Sequence, residues 1–195
     1  MLKGAPAAVA AVAGGPAGLD GDVATLATDG ARVLAVAEGS GEALRLAGLV
    51  ALSDPPRPDS AALIRDLQGL GVRLLMLTGD SLETARAVAA QVGIPGNVCT
   101  AEQLRADHVR SLDGLGVVAG VLPEDKYRVV QALQQAGHVV GMTGDGVNDA
   151  PALKQAEVGI AVANATDVAK AAASLVLTQP GLADILAAIQ TSRRI

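Results

Sequence analysis

The chain contains almost no aromatic side chains: of its 195 residues none is Phe or Trp, and Tyr127 is the single Tyr. Half of the residues are nevertheless hydrophobic, so the core must be built from Ala, Val, Leu and Ile. Such a core is typical of helices packed on a buried parallel sheet. The chain also offers almost no ring on which a base could stack. We expect any nucleotide to be held by aliphatic packing and through its phosphates, or by a stacking residue elsewhere.

Cysteines, basic clusters and long apolar runs are also scarce. Cys99 is the only cysteine, which excludes an internal disulfide and favours a reducing compartment. The net charge is −5, with acids and bases scattered, which argues against nucleic acid as a partner. No apolar run approaches the roughly 20 residues that cross a bilayer, and the N-terminus does not read as a signal peptide. Taken alone, the chain is expected to be soluble.

The most informative segment is 142–151, Met-Thr-Gly-Asp-Gly-Val-Asn-Asp-Ala-Pro. It follows an apolar run, so Asp145, Asn148 and Asp149 are expected at the carboxyl end of a strand, where open α/β sheets bind ligands. Two carboxylates and a carboxamide are hard oxygen ligands of the kind that Mg²⁺ takes together with phosphate oxygens. We predict a magnesium and phosphate site; a surface loop of turn-forming residues is the alternative.

A second Thr-Gly-Asp, formed by Thr78, Gly79 and Asp80, follows a strand predicted over residues 72–77. A hydroxyl and free backbone N–H groups at a helix N-terminus can cradle a phosphate. By itself the tripeptide is equally consistent with a capping turn, because Ser81 can act as the N-cap of a helix predicted over residues 81–92. The presence of another Thr-Gly-Asp at 143–145 favours the phosphate cradle over a simple capping turn.

Lys126 stands in the first turn of a helix that Pro123 begins. Acidic residues favour the positive end of the helix dipole, whereas a lysine there is misplaced unless it serves an anion. A solvated lysine is the alternative, and the residues alone leave both open. Lys3 and Arg32, viewed singly, are ordinary surface cations.

Prolines at 55, 56 and 58 divide the chain, because three prolines in four positions exclude both helix and internal strand. Before them, residues 4–30 show weak periodicity, and extended segments at 32–37 and 44–52 predict a hairpin. After them, strands alternate with helices, which predicts βαβ units and a mostly parallel sheet. Only in residues 96–116 is this alternation of strands and helices less regular.

These motifs occur in the order typical of P-type cation-transport ATPases, which the chain resembles over essentially its whole length. The segments that carry the resemblance are Lys3-Gly4-Ala5-Pro6, Asp54-Pro55-Pro56-Arg57, Met76-Leu77-Thr78-Gly79-Asp80, Pro123-Glu124-Asp125-Lys126 and Met142 to Pro151. The tail, at 158–167 and 177–182, is similar to the proton-pump branch.

The resemblance implies an α/β fold: a Rossmann-like, haloacid-dehalogenase-type parallel sheet flanked by helices. Residues 59–195 would form the phosphorylation domain without its nucleophile strand. Residues 54–58 would be a hinge, and residues 1–53 the C-terminal part of an α+β nucleotide-binding domain. The parent pump would use ATP hydrolysis, through an aspartyl-phosphate, to export a cation, and its proton specificity rests on the tail alone.

Site roles carried over from the family concern Mg²⁺ and ATP. By the resemblance, Asp145 and Asp149 hold Mg²⁺, Asn148 assists at the phosphate, and Thr78 and Lys126 bind the phosphoryl oxygens. The same resemblance implies that ATP is contacted by Lys3, Arg32, Thr78, Gly79 and Asp80.

The sequence also departs from the family. The nucleophile of the family is an aspartate in the segment Asp-Lys-Thr-Gly-Thr, which does not occur in this sequence. In addition, this sequence has Ala119-Gly120 where the family usually has Ala-Arg. The missing strand would lie between the strands ending at Thr78 and Thr143, leaving two internal edges unpaired at a cost. We therefore expect a chain that is marginally stable alone or is completed by another polypeptide.

Three functions stay open. The first is a fragment of a P-type pump that lies on the cytoplasmic side of the cell membrane and works with the remaining pump domains, in cis or in trans. The second is a soluble phosphatase-like enzyme of the same superfamily, with Asp80 or Asp54 as its nucleophile. The third is a non-catalytic module that binds Mg²⁺ or nucleotide.

Overall fold

The computed structural model describes residues 1–27, 31–53, 55–106 and 112–194, without the side chain of Glu42. These residues form two compact units, Met1–Pro55 and Pro56–Ile195. The division falls within the proline-rich segment 54–58, of which Asp54 lies outside the described residues.

The first unit contains a three-stranded antiparallel sheet and two short helices. In chain order the elements are β1 (Leu2–Gly4), α1 (Pro6–Ala13), α2 (Leu19–Leu26), β2 (Arg32–Glu38) and β3 (Arg45–Leu52). The strand order is β1-β2-β3. Both helices lie where the sequence shows only weak periodicity. For α1 the reason is its composition of Ala, Val and Pro, which offers no polar face to contrast with the buried one.

One face of this sheet is covered by α1. Val9 of α1 packs with Ala35 and Ala37 of β2 in a small buried cluster. Because side chains alternate along a strand, Arg32, Leu34 and Val36 point to the opposite face. The first strand of the sheet's β2–β3 hairpin thus has one buried and one open face. The hairpin itself was predicted from the sequence and is present.

The second unit alternates helices and strands. Its elements are α3 (Ser60–Gly69), β4 (Met76–Thr78), α4 (Leu82–Val92), β5 (Asn97–Thr100), α5 (Ala101–Arg105), β6 (Leu115–Ala119), α6 (Pro123–Gln135), β7 (Gly141–Gly144), α7 (Ala150–Gln155), β8 (Val158–Ala161), α8 (Asp167–Ala172), β9 (Leu175–Val176) and α9 (Ala183–Ser192). Short 3₁₀ turns lie at Gly41–Ala43 in the first unit and Val147–Asp149 in the second.

The strands of the second unit form two parallel sheets of three, in the orders β4-β6-β5 and β7-β8-β9. Strand β6 is buried at every residue, as a central parallel strand should be. In the described residues, β4 pairs only with β6 and β7 only with β8, so each has one edge without a ladder partner. Both of these edge strands end in a Thr-Gly-Asp.

Two parts of this unit differ from the sequence prediction. The strand predicted from residue 72 begins at Met76, where its ladder with β6 starts opposite Val117. Val72 and Leu74 lie before the ladder and pack against a cluster that contains Leu67 and Ile160. The region described as irregular from residue 96 holds β5 and α5, which share a cluster with β6 around Cys99. In the described part of the chain, no helix is both long enough and apolar enough to cross a membrane.

Candidate functional site

The turn after β7 is organised around Asp149. Its side chain is buried, with 4% of the residue exposed. Its Oδ2 accepts hydrogen bonds from the backbone N–H groups of Asp145 and Gly146, both at 3.1 Å. A Cβ on Gly144 would lie 2.5 Å from the Cβ of Asp149, so only glycine leaves room for this approach. The two glycines of the motif therefore serve different purposes: Gly144 supplies space and Gly146 supplies an N–H.

Lys126 completes the contacts of Asp149. Its Nζ donates to Asp149 Oδ1 at 2.6 Å, and the side chains are 23% and 6% exposed. Burial by itself raises the pKa of the Asp149 carboxyl, but the hydrogen bond and charge of Lys126 and the N–H groups of Gly146 and Asp145 outweigh it and lower the pKa. Asp149 is thus held as a carboxylate, and Lys126 in the first turn of α6 is paired with an anion.

Asp145 and Asn148 are exposed at the same turn. Neither side chain makes a hydrogen bond or ion pair within the described residues. The backbone of Asp145 is fixed, because its carbonyl accepts from Thr166 N–H at 2.8 Å, and the Thr166 side chain caps α8 through Ala169 N–H. Asp145 thus combines a fixed backbone with a free carboxylate.

A magnesium ion fits these residues in ligand type. Among the described residues no group of three or more His, Cys, Asp or Glu side chains could hold a metal. Mg²⁺ needs only one or two protein carboxylates and completes its shell with water and phosphate. Asp145 offers a free carboxylate. Asp149 has three hydrogen bonds, which leaves about one of its roughly four lone-pair sites.

Thr78 and Asp80 form a separate closed turn at the end of β4. Thr78 Oγ1 donates to Asp80 Oδ2 at 2.7 Å and accepts from Asp80 N–H at 3.1 Å. The turn is joined to the end of β6, because the carbonyls of Asp80 and Thr78 accept from the N–H groups of Gly120 and Val121. Gly79 and Asp80 are exposed, and Thr78 is half-buried. The Asp80 carboxylate is therefore engaged with its neighbour.

The loop at Gly120 bears on the family's missing arginine. Gly120 has φ +64, and no atom lies within 4 Å of a Cβ built on it. A larger side chain would have space but would be strained by the backbone, since positive φ is unfavourable for residues other than glycine. The departure from Ala-Arg is thus accompanied by a backbone conformation that suits glycine.

The predicted site residues fall into three groups. Lys126, Asp145, Asn148 and Asp149 lie together around the β7 turn, and Thr78, Gly79 and Asp80 lie at the β4 end. Within the described residues no hydrogen bond or ion pair joins these two groups. Lys3 and Arg32 belong to the first unit and are both exposed.

Lys3 and Arg32 share one face of the first sheet. Lys3 is directly opposite Val36 in the β1–β2 register, so the two residues point the same way, and Arg32 follows the same alternation four positions along β2. This is the face that α1 does not cover. The two cations lie roughly 13 Å apart along the strand direction at about 3.3 Å per residue.

Asp125 was not singled out by the sequence reasoning, although it neighbours Lys126. It is 2% exposed, and its Oδ2 accepts from Leu122 N–H at 2.8 Å and from Arg105 Nη1 at 2.5 Å. The hydrogen bond from Leu122 N–H could have been predicted, because acidic side chains near the start of a helix are favoured there. Nothing in the sequence pointed to Arg105, which is 20 residues away.

Comparison with known proteins agrees with this architecture. The family model described as haloacid dehalogenase-like hydrolase matches residues 2–157. The chain is 45% identical over 186 residues to Plasma membrane ATPase 2 of Saccharomyces cerevisiae, covering 89% of this chain and 19% of that protein. It is 43% identical over 183 residues to a putative cation-transporting ATPase of Methanocaldococcus jannaschii, covering 87% and 22%. The solved structure of a zinc-transporting PIB-type ATPase is similar with a TM-score of 0.70 and 33% identity, covering 92% of this chain and 26% of that one.

The chain therefore belongs to the haloacid dehalogenase-like hydrolase family. The predicted resemblance to P-type cation-transport ATPases is confirmed, as is the α/β class with parallel sheets flanked by helices. The chain spans about a fifth of the length of the curated relatives that it matches.

Proposed function

We propose that this chain is the ATP-hydrolysing portion of a P-type cation pump, acting on the cytoplasmic side of the membrane. The parent protein would couple ATP hydrolysis, through an aspartyl-phosphate, to export of a cation, with the proton as the proposed ion. The observation that carries the proposal is the Lys126–Asp149 ion pair at the Thr-Gly-Asp-Gly turn. It puts a fixed ammonium beside exposed oxygen ligands at the end of a parallel strand.

Each residue around β7 has a distinct task in this proposal. Lys126 neutralises charge on the transferred phosphoryl group, and Asp149 fixes the ammonium in place. Asp145 and Asp149 hold Mg²⁺, with the exposed Asp145 carboxylate as the more accessible ligand, and Asn148 hydrogen-bonds the phosphate. When bound, Mg²⁺ supplies positive charge that stabilises the phosphate oxygens.

The β4 turn would bind the same phosphoryl group from the other side. Thr78 donates its hydroxyl proton to Asp80, so it must exchange this partner for a phosphate oxygen on binding. Gly79 and Asp80 expose backbone to the same ligand. The Asp80 carboxylate is satisfied by Thr78, which weighs against Asp80 as the nucleophile of a phosphatase; Asp54, the other candidate, lies outside the described residues.

In the first unit, Lys3 and Arg32 are the proposed ATP-binding residues. Two exposed cations on one open sheet face suit a polyanionic ligand, and the apolar side chains between them, Leu34 and Val36, offer packing in the absence of aromatic rings. In this assignment residues 1–53 belong to the nucleotide-binding domain, residues 54–58 are the hinge, and residues 59–195 belong to the phosphorylation domain.

The nucleophile would come from a strand between β4 and β7. Within the described residues both have one edge without a ladder partner, and both end in a Thr-Gly-Asp. A strand bearing Asp-Lys-Thr-Gly-Thr, supplied by the pump's other segments in cis or in trans, would pair with both edges and bring its aspartate between the two turns. The actuator and transmembrane domains would be further partners.

Acid-quenched labelling with γ-labelled ATP and Mg²⁺ tests this assignment. The chain alone is expected to give no acid-stable label, whereas its fusion to a segment that contains Asp-Lys-Thr-Gly-Thr is expected to be labelled. The label should disappear when that aspartate is changed to Asn. Labelling of the isolated chain, or failure of a folded fusion to be labelled, would contradict the proposal.

Binding of MgATP to the isolated chain, measured by calorimetry, separates the residue roles. Lys126→Met should weaken binding, whereas the matched Lys154→Met, an exposed lysine on α7, should not. Asp145→Asn should abolish the dependence of ATP binding on Mg²⁺. The control is Asp66→Asn, which changes an exposed carboxylate on α3 and should leave that dependence unchanged. Turnover of a small phosphomonoester that is lost in Asp80→Asn would instead favour the phosphatase.

A further inference from the structure

Lys126 is one of two adjacent charged residues in the first turn of α6 that are held by opposite charges. Lys126 donates to Asp149 after β7, and Asp125 accepts from Arg105 at the end of α5. Helix α5 follows β5, which belongs to the other sheet. The start of α6 is therefore anchored to both sheets through two ion pairs on neighbouring residues.

We propose that Arg105 is a positioning residue for Lys126 and acts through Asp125. The Asp125 carboxylate is 3% exposed, and Arg105 is its ion-pair partner, 37% exposed. Adjacent helical residues point about 100° apart, since 3.6 residues make a turn. Fixing the direction of Asp125 therefore also fixes the direction in which Lys126 leaves the helix.

Arg105 has a second effect, which is electrostatic. Without it, Asp125 would be a buried carboxylate whose other contact in the described residues is Leu122 N–H. Leaving such a buried charge without its partner is strongly destabilising, so the start of α6 would have to shift to bring Asp125 to water. Arg105 thus keeps the start of α6 in the position from which the Lys126 ammonium reaches Asp149.

The position of Arg105 is itself well determined. Helix α5 begins with a reciprocal capping box, in which Gln103 N–H donates to Thr100 Oγ1 at 3.2 Å and Thr100 N–H donates to Gln103 Oε1 at 2.9 Å. Ala101 is fully buried beneath it. Because five residues would not form a stable helix alone, the cap and this packing hold the helix that presents Arg105 to Asp125.

The role of Lys126 at a phosphoryl group rests on the proposed function, but its positioning by Arg105 can be measured without any ligand. The chain contains four lysines, Lys3, Lys126, Lys154 and Lys170, so the ¹³Cε and ¹⁵Nζ signals of Lys126 can be assigned by substitution. Asp149→Asn defines the signal of Lys126 without its partner. Arg105→Gln is expected to move the Lys126 signal toward that position.

Three controls distinguish positioning from a general effect of charge or stability. Arg105→Lys should largely restore the wild-type signal, and Arg86→Gln, which removes an exposed arginine of α4, should leave it unchanged. In an Asp125→Asn background, where no buried carboxylate needs a cation, Arg105→Gln should have no further effect. That double variant also keeps the test valid if Arg105→Gln alone fails to fold.

The second readout is the affinity of the isolated chain for MgATP. In Arg105→Gln this affinity is expected to fall about tenfold, which corresponds to the loss of roughly one charge-assisted hydrogen bond. A Lys126 signal unaffected by Arg105→Gln, or an undiminished effect in the Asp125→Asn background, overturns the positioning role. If the wild-type chain binds no MgATP while the Lys126 signal still responds, the proposed function fails and the positioning role stands.

Discussion

Asp149 packs directly against the backbone of Gly144, with the Cβ of Asp149 2.5 Å from the point where a Gly144 Cβ would lie. The contact is made by the same carboxylate-bearing residue that binds Lys126. The local shape of the β7 turn and the electrostatics of the site therefore depend on each other.

Gly144→Ala is expected to destabilise the fold by about 1–3 kcal/mol, the usual cost of overpacking a filled site. The added methyl must displace Asp149 and so also weaken its bond to Lys126. Gly146→Ala is the matched control, because a Cβ there meets its nearest atom at 3.7 Å. Urea unfolding of both variants measures the difference. Equal stability of the two would show that the close approach does not constrain the turn.

The lowered pKa of Asp149 predicts a specific dependence of stability on pH. A carboxyl whose pKa is lower in the folded than in the unfolded state stabilises the fold above its unfolded-state pKa, and the contribution is lost as the pH falls through the folded-state pKa. The ordinary value for Asp149 is 3.8. The wild-type chain should therefore exceed Asp149→Asn in stability above about pH 4, and the difference should shrink at lower pH.

Unfolding by urea between about pH 2.5 and pH 7 checks this, with Asp66→Asn as the control. Asp66 is exposed on α3, so that variant removes a carboxylate without breaking a buried ion pair. A difference for Asp149→Asn that is flat across the same range would contradict the assignment of Asp149 as a stabilised carboxylate.

Substitutions at Gly120 should be governed by backbone strain and not by space. With φ +64 and no atom within 4 Å of an added Cβ, Gly120→Ala is expected to cost about 1–2 kcal/mol. Gly120→Asn should cost less, because Asn tolerates the left-handed region. Thermal unfolding compares the two. An Ala variant as stable as the wild type would indicate that the loop can change conformation and could accept the family's arginine.

Ser81 begins α4 through its side chain, which accepts from Thr84 N–H at 3.3 Å. Ser81→Ala should lower the free energy of unfolding by about 1 kcal/mol, and Ser81→Gly by only a few tenths. The order of the two variants, measured by urea unfolding, is the test. The opposite order would mean that helix propensity, and not the cap, dominates at this position.

Much of this architecture was predictable because its signals are local. The cap at Ser81 is confirmed, since it depends only on residues 81–84. The strand before Asp145 was predicted from a contiguous apolar run, and β7 lies there, at Gly141–Gly144. The short helices α1 and α5 could not be predicted from periodicity, because one is apolar nearly throughout and the other has only five residues.

The contacts that define the site were not local. Lys126 and Asp149 are 23 residues apart, and Arg105 and Asp125 are 20 apart. Sequence reasoning singled out both members of the first pair by residue type and motif, but it could not pair them. Arg105 was missed altogether, because an arginine at the end of a short helix is ordinary until a buried carboxylate is seen beside it.

The amino-acid sequence alone determined the class of fold, the two Thr-Gly-Asp turns and the family, because these depend on apolar periodicity and on short, ordered motifs. The tertiary structure decided which charges meet. It packed Asp149 against Gly144, turned Lys126 toward it and directed Arg105 to Asp125. The physical reason is that ion pairing and close packing depend on distances set by the whole fold, whereas turns and strands depend on neighbours along the chain.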